Sequence, residues 1–266
     1  HGLPASEVSA PAILYPMSAS SEQAPTALSE RADGGAPEHH DLTHARLGCR
    51  DAFPRLEARA YVAHCAISPL SDIVERAIAR SVERSATWGI GALEAALEVR
   101  ERLRARLARL LQTAPTQIGL VANTSAGIST VALDLDWRAG DGLVYFEGEF
   151  PTNVTPWQQA AKLFDLRVFA HRVADFSGDG GAGLEALDRR LSVEQIRLVA
   201  VSAVQFNSGL RMPVEQIAEI CHRHGALCFV DAIQLVGSAP FDIEAAQVDF
   251  ASIGSHKWLM GTEGLG

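Results

Sequence analysis

Short apolar runs recur along the second half of the chain, at residues 116–122, 143–147, 166–171, 198–204, 227–230 and 248–253. A run without strict polar alternation suits a strand covered on both faces. Between these runs lie segments with three- and four-residue apolar spacing: 124–135, a stretch holding Trp157 and Gln158, 184–191 and 213–224. These read as helices. The alternation predicts an α/β fold, with a mainly parallel sheet covered by helices on both faces.

The first half reads differently. Residues 60–66 form a short apolar run, expected as a strand or extended segment. Ser68 then serves as an N-cap and Pro69 as the first residue of a helix through about 84. A second helix is expected over 92–112, with Leu93, Leu97, Leu103, Leu107, Leu110 and Leu111 at helical spacing. Its arginines, Arg100 to Arg109, spread around it as a solvated face. Residues 1–55 are rich in Ala, Ser, Pro and Glu and read as a weakly ordered extension. The expected organisation is thus an extension (1–55), a helical segment (56–115) and a ligand-binding large domain (116–266). The GDGGAG stretch at 178–183 does not follow a strand directly and lacks the GxGxxG spacing, so it reads as a surface turn.

Composition narrows the function classes. The net charge of −9 argues against nucleic acid and anionic membranes as partners. The four cysteines, Cys49, Cys65, Cys221 and Cys228, form no CxxC pair, which argues against zinc and a disulfide framework and for a reduced, cytoplasmic compartment. His39 and His40 read as solvated residues of the extension rather than metal ligands. No stretch of about 18 apolar residues is present to cross a membrane. The chain opens on His1 and stops at Gly266 inside a glycine-rich turn, and is expected to be part of a longer protein.

Parallel sheets bind ligands at the carboxyl ends of their strands. Polar or aromatic residues gather at five such places: Thr124 and Ser125, Glu149 and Phe150, Gln205 and Asn207, Asp231 and Gln234, and Ser255 to Lys257. Each has a plainer reading alone. Asn123-Thr124-Ser125-Ala126-Gly127 is a good helix cap, Asp231 a partner for an arginine, and Lys257 a surface residue. Together, a part-buried acid suits a cationic aromatic nitrogen and a lysine suits an aldehyde. Pyridoxal 5′-phosphate has both, and its phosphate suits a helix N-terminus.

The stretch VDFASIGSHKWLMGTEGLG, 248–266, resembles the cofactor-attachment signature of the class V aminotransferases, a family of fold type I pyridoxal-phosphate enzymes. YVAHCAISPL, NTSAG, EFPTNVTPW and VDAIQ are similar too, in the family's order, so the resemblance runs from about residue 58 to the end. It implies that Lys257 forms the Schiff base and moves the proton, and that Asp231 holds the ring nitrogen protonated. Thr124, Ser125 and His256 would hold the phosphate, and Phe150 would stack on the ring. Gln234 would lie near the phenolic oxygen or the Schiff base, with Gln205 or Asn207 near the phenolic oxygen. Ser255 stands beside Gly254, the position where desulfurases carry a phosphate-binding serine.

Two departures matter. Cysteine desulfurases carry a histidine where this chain has Phe150, and a phenyl ring moves no proton. The EFPTN and KWL runs look closer to the isopenicillin N epimerase branch. The family's C-terminal small domain, with its substrate-binding arginine, would lie beyond Gly266. The resemblance implies an enzyme acting at Cα of an amino acid, by epimerase, aminotransferase or lyase chemistry, in a homodimer. Cysteine desulfuration is the alternative. A non-catalytic binding or assembly protein of the same fold is the rival from another class, and a Rossmann-like nucleotide binder is disfavoured by the missing glycine fingerprint.

Overall fold

The computed structural model describes residues 50–178 and 180–266. His39, His40, Cys49 and nearly all of the expected extension lie outside the described residues. Among those described, five strands form one all-parallel sheet: β1 (Gly142–Glu147), β2 (Arg167–Arg172), β3 (Ile196–Ser202), β4 (Leu227–Asp231) and β5 (Phe250–Ser252). Their order is β2-β1-β3-β4-β5. The chain therefore leaves β1 toward one edge and returns to the other side of it. That reversal makes the β1/β3 crevice a topological switch point, where sheets of this kind take ligands.

Alternate strand residues feed two separate cores. On one face Leu143, Leu198, Ala200 and Phe229 pack under α3 (Thr124–Asp134) and α4 (Thr155–Phe164), against Ile128, Ala132, Trp157 and Ala160. On the other, Val144, Phe146, Val199, Val201 and Val230 meet Leu187 and Leu191 of α5 (Gly181–Val193) and Ile217 and Cys221 of α6 (Val214–Arg223). Both faces are covered, as the unbroken apolar runs require. Trp157, fully buried, meets Phe229 edge-on at 5.0 Å and donates its indole N–H to Asn153 Oδ1 at 2.9 Å. Burying so large a ring is stabilising only if its one polar atom is satisfied.

Before the sheet come α1 (Asp72–Trp88) and α2 (Leu93–Leu111). Ser71, not Ser68, caps α1: its hydroxyl accepts the Val74 N–H at 3.3 Å, and Asp72 and Glu75 complement the first turn. Residues 61–68 are not a strand. Val62 is 87% exposed, and the backbone turns on itself through Ala66 N–H to Ala63 O at 2.9 Å. Residues 116–122 do not form one either. Val121 exchanges hydrogen bonds with Gly266 at 2.8 Å in both directions, a single residue pair rather than a ladder. In α2 only Ala108 and Leu111 are buried, while Leu93, Leu97 and Leu110 are about half exposed, so its periodicity marks a helix without marking a covered face.

The glycine stretch at 178–183 is only partly a surface turn. Gly181 and Gly183 belong to the first turn of α5. Gly183 is buried, and a Cβ there would sit 2.5 Å from the Phe176 ring. Replacing Gly183 with Ala is therefore expected to lower unfolding stability by about 1–3 kcal/mol, measured by urea denaturation. No loss would show that Phe176 yields freely.

Candidate active site

Asp231 closes β4 and is 4% exposed. In register it faces Ser202 of β3 and Ser252 of β5. Burial raises the proton affinity of its carboxyl, pushing it up to about 7. The backbone N–H of Ile233, donated to Oδ1 at 3.1 Å, works against that, as does the Lys257 ammonium; the Glu149 charge reinforces it. A buried acid held this way gains from any cationic or N–H-bearing partner placed beside it.

Lys257 lies five residues beyond the end of β5, with Nζ 5.7 Å from the centre of the Phe150 ring. Burial holds its amine below the ordinary lysine range, with Asp231 and the Cys65 thiol pulling the other way. A lowered proton affinity makes more free amine, the form that attacks carbonyl carbon. The loop is pinned by a strap, residues 61–68. Ser68 N–H donates to His256 O at 2.8 Å, and the Ser68 hydroxyl donates to Lys257 O. His64 Nδ1 meets that hydroxyl at 2.6 Å, and its ring stacks on Trp258 at 5.7 Å. Gln234 ties both together, donating to Cys65 O at 2.9 Å and accepting from the Trp258 indole at 2.8 Å. The Gln234 amide thus spans the strap and the lysine loop.

The N-terminus of α3 comes to the same rim. Asn123 Oδ1 accepts the Ala126 N–H at 2.8 Å, so the cap is real. Thr124 Oγ1 is nevertheless buried without a partner. Close approach depends on two glycines. A Cβ on Gly254 would meet Thr124 Oγ1 at 2.7 Å, and one on Gly127 would meet Ser252 Oγ at 2.4 Å. Ser252 instead donates to Thr124 O at 2.9 Å, tying β5 to α3. Ser125 is exposed, 3.2 Å from the Thr152 hydroxyl. Ser255 donates its hydroxyl to Thr262 O and its N–H to Leu265 O, so its side chain is spent on the turn that follows Lys257. A cavity of about 420 Å³ opens between α3 and the start of α4, lined by Ser125, Ser129, Thr152 and Gln159; Asp231 and Lys257 are not part of its wall.

Across the β1/β3 crevice, Glu149 is 7% exposed and accepts three donors: Ser202 N–H at 2.7 Å, the Ser202 hydroxyl, and Gln205 Nε2 at 3.0 Å. Gln205 is 1% exposed, and its Oε1 has no partner. Asn207, by contrast, sits exposed in the following turn. Phe150 is 45% exposed and meets Phe206 edge-on at 5.2 Å, which leaves it a flat aromatic wall beside Lys257.

The structure thus brings Asp231, Lys257, Phe150 and Gln205 to one end of the sheet, with Thr124 and Ser125 on its rim, and leaves Asn207 outside. Ser202, Ser252, Asn153 and Trp258 are not singled out in the sequence, and Ser68 reads there as a helix cap. A serine inside an otherwise apolar run is the available signal for the first two. The local signals at Ser68 point to a cap and not to its partner, 189 residues away.

The burial of Asp231 has a measurable consequence for the ligand-free protein. Its folded proton affinity lies above the unfolded value near 3.8, so its contribution is fully present below pH 3.8 and is lost as pH rises through about 7. Replacing Asp231 with Asn keeps the acceptor for Ile233 and removes the charge. The variant should be more stable to unfolding than the parent at pH 8, by on the order of a few kcal/mol at most and so with a higher Tm, and should match it near pH 4. Equal melting at both pH values would show that Asp231 is not held in a costly environment.

The profile of the family described as aminotransferase class-V matches residues 81–266. An uncharacterized aminotransferase, YcbU, of Bacillus subtilis is 31% identical over 224 residues, covering 84% of this chain and 58% of that protein. A probable cysteine desulfurase of Methanothermobacter thermautotrophicus is 32% identical, covering 82% and 54%. Among solved structures, a C-DES mutant with glycine covalently linked to its PLP cofactor superposes with a TM-score of 0.77 at 27% identity, covering 82% of this chain and 58% of that one. The cystine C-S lyase C-DES in complex with its product cysteine persulfide gives 0.72 at 27% identity, covering 76% and 55%. The chain spans little more than half the length of these proteins. With the family profile matched over residues 81–266, the chain belongs to the aminotransferase class-V family.

Proposed function

We propose that this chain is the cofactor-binding large domain of a pyridoxal-phosphate enzyme acting at Cα of an amino acid. The observation that carries the reading is the pairing, on neighbouring strand ends, of a buried acid with raised proton affinity and a half-buried amine with lowered proton affinity, Asp231 and Lys257. The residues present fit the cofactor. The orphaned Thr124 hydroxyl and exposed Ser125 at the α3 N-terminus suit its phosphate, with His256 nearby in the lysine loop. Phe150 offers its face to the ring, and Asp231 would hold the proton on the ring nitrogen. Gln205 Oε1 is left to accept a hydrogen bond. When bound, pyridoxal phosphate supplies an electron-withdrawing ring for the pair released at Cα. Lys257 Nζ would anchor the aldehyde and, once freed by the substrate amine, would carry a proton to or from Cα. Phe150 excludes water from that side and moves no proton.

The isopenicillin N epimerase-like branch is favoured by Phe150 and by the EFPTN and KWL runs. A second reading, cleavage of a C–S bond, is favoured by the names of the relatives, a probable cysteine desulfurase and a cystine C-S lyase. A homodimer in the cytoplasm completes the proposal. No helix among the described residues is long and apolar enough to cross a membrane.

Borohydride reduction of the full-length protein loaded with pyridoxal phosphate should fix the cofactor to the peptide carrying Lys257. Fixation surviving in Lys257→Ala would overturn the assignment. Asp231→Asn should still be trapped, while turnover falls roughly 10²–10³-fold; undiminished turnover would remove Asp231 from its role. Exchange of the substrate Cα hydrogen in heavy water, without sulfide release from cysteine or cystine, separates the first reading from the second.

A further inference from the structure

The pocket holds a third charged group with no part in the chemistry above. Glu149 follows β1, and its carboxylate lies against Ser202, the last residue of β3. Ser202 is also the register partner of Asp231, and the next residue, Ala203, donates its N–H to Asp231 O at 2.8 Å. The two acids therefore flank the end of a single strand, one from each side. Neighbouring strands lie about 4.8 Å apart, so the two acids stand on either side of one strand, and the Glu149 charge raises the proton affinity of Asp231.

Glu149 is held only by neutral donors: a backbone N–H, a hydroxyl and an amide. No Lys, Arg or His among the described residues forms an ion pair with it. Burying a carboxylate without a cation is costly, and a purely structural link between β1 and β3 could be made by a neutral side chain. The donors fix its position and leave its charge uncancelled toward Asp231. Among the described residues, the charged groups facing Asp231 are then Glu149 beyond β1 and Lys257 beyond β5, and burial lowers the proton affinity of Lys257.

We infer that Glu149 is a positioning residue, a fixed second acid that acts across the end of β3 to keep a proton beside Asp231, and so makes the pocket select a ligand carrying a protonated nitrogen. Held by Glu149, the Gln205 amide points its NH2 at the acid and leaves Oε1 as the free acceptor, which suits the same kind of donor-bearing ligand. Only the identity of the ligand rests on the cofactor proposal; the action of Glu149 on Asp231 does not.

The direct test is a ¹³C NMR titration of the Asp231 carboxyl in ligand-free full-length protein, its signal assigned by its loss in Asp231→Asn. The parent should titrate near about 7. Glu149→Gln should lower the midpoint by on the order of one pH unit. Ser202→Ala, which removes a hydroxyl but keeps the backbone donor and the charge, should leave it in place. An unchanged midpoint in Glu149→Gln, or an equal fall in Ser202→Ala, overturns the inference. Should Glu149→Gln fail to fold, Glu149→Asp retracts the charge by one methylene and must move the midpoint the same way by a smaller amount; no movement overturns it too.

The second arm compares binding of pyridoxal phosphate with its 1-deaza analogue, in which CH replaces the ring nitrogen. The parent should prefer the pyridine ring, and Glu149→Gln should cut that preference roughly tenfold. Equal preference in both proteins overturns the selection claim. If the parent binds neither compound, the cofactor proposal fails, and the titration alone decides the role of Glu149.

Discussion

A carboxyl group at the end of a central strand, shut away from water and without a direct cation, is the constraint to which this molecule answers. The cost of ionising Asp231 is met neither by an arginine nor by solvent. It is left standing, balanced by one backbone N–H and a half-buried lysine, and made heavier by a second acid. Such an arrangement makes sense where the missing partner arrives from outside. The sheet supports it: β3 and β5 hold Asp231 in register on both sides, and each contributes a serine whose hydroxyl ties in a neighbouring element, Ser202 to Glu149 and Ser252 to α3.

Order around the acid comes from close approach more than from charge. Glycine at 127 and 254 lets the first turn of α3 lie against the last residues of β5 and the loop beyond it, which brings the Thr124 hydroxyl to the rim. Phe150 and Phe206 wall the opposite side. Most polar atoms here are spoken for by neighbours, and the exceptions, Thr124 Oγ1 and Gln205 Oε1, both belong to residues lining the strand ends.

Much of this was legible in the residues. Runs buried on both faces show no alternation, so 143–147, 198–204 and 227–230 announced parallel strands, and the intervening periodicity announced the covering helices. Asp231 and Lys257 could be picked out because each follows an apolar run. The reading failed where partners are distant or single. The run at 60–66 has strand composition but no neighbour to pair with, and its backbone is used by the lysine loop instead. Ser68 before Pro69 carries every local sign of a cap, yet Ser71 supplies the cap and Ser68 serves Lys257. Gln234 was placed correctly at a strand end, but its amide is shared between Cys65 and Trp258, a role set wholly by tertiary contact.

The bond from the Ser68 hydroxyl to the carbonyl of Lys257 joins positions 189 residues apart. At synthesis rates of about 5–20 residues per second, Ser68 leaves the ribosome roughly 10–40 seconds before its partner exists. The strap must wait, unpaired and apolar, while the sheet forms behind it. The lysine loop is thus among the last pieces to be locked, and Lys257 takes its ordered place only once the sheet before it is complete.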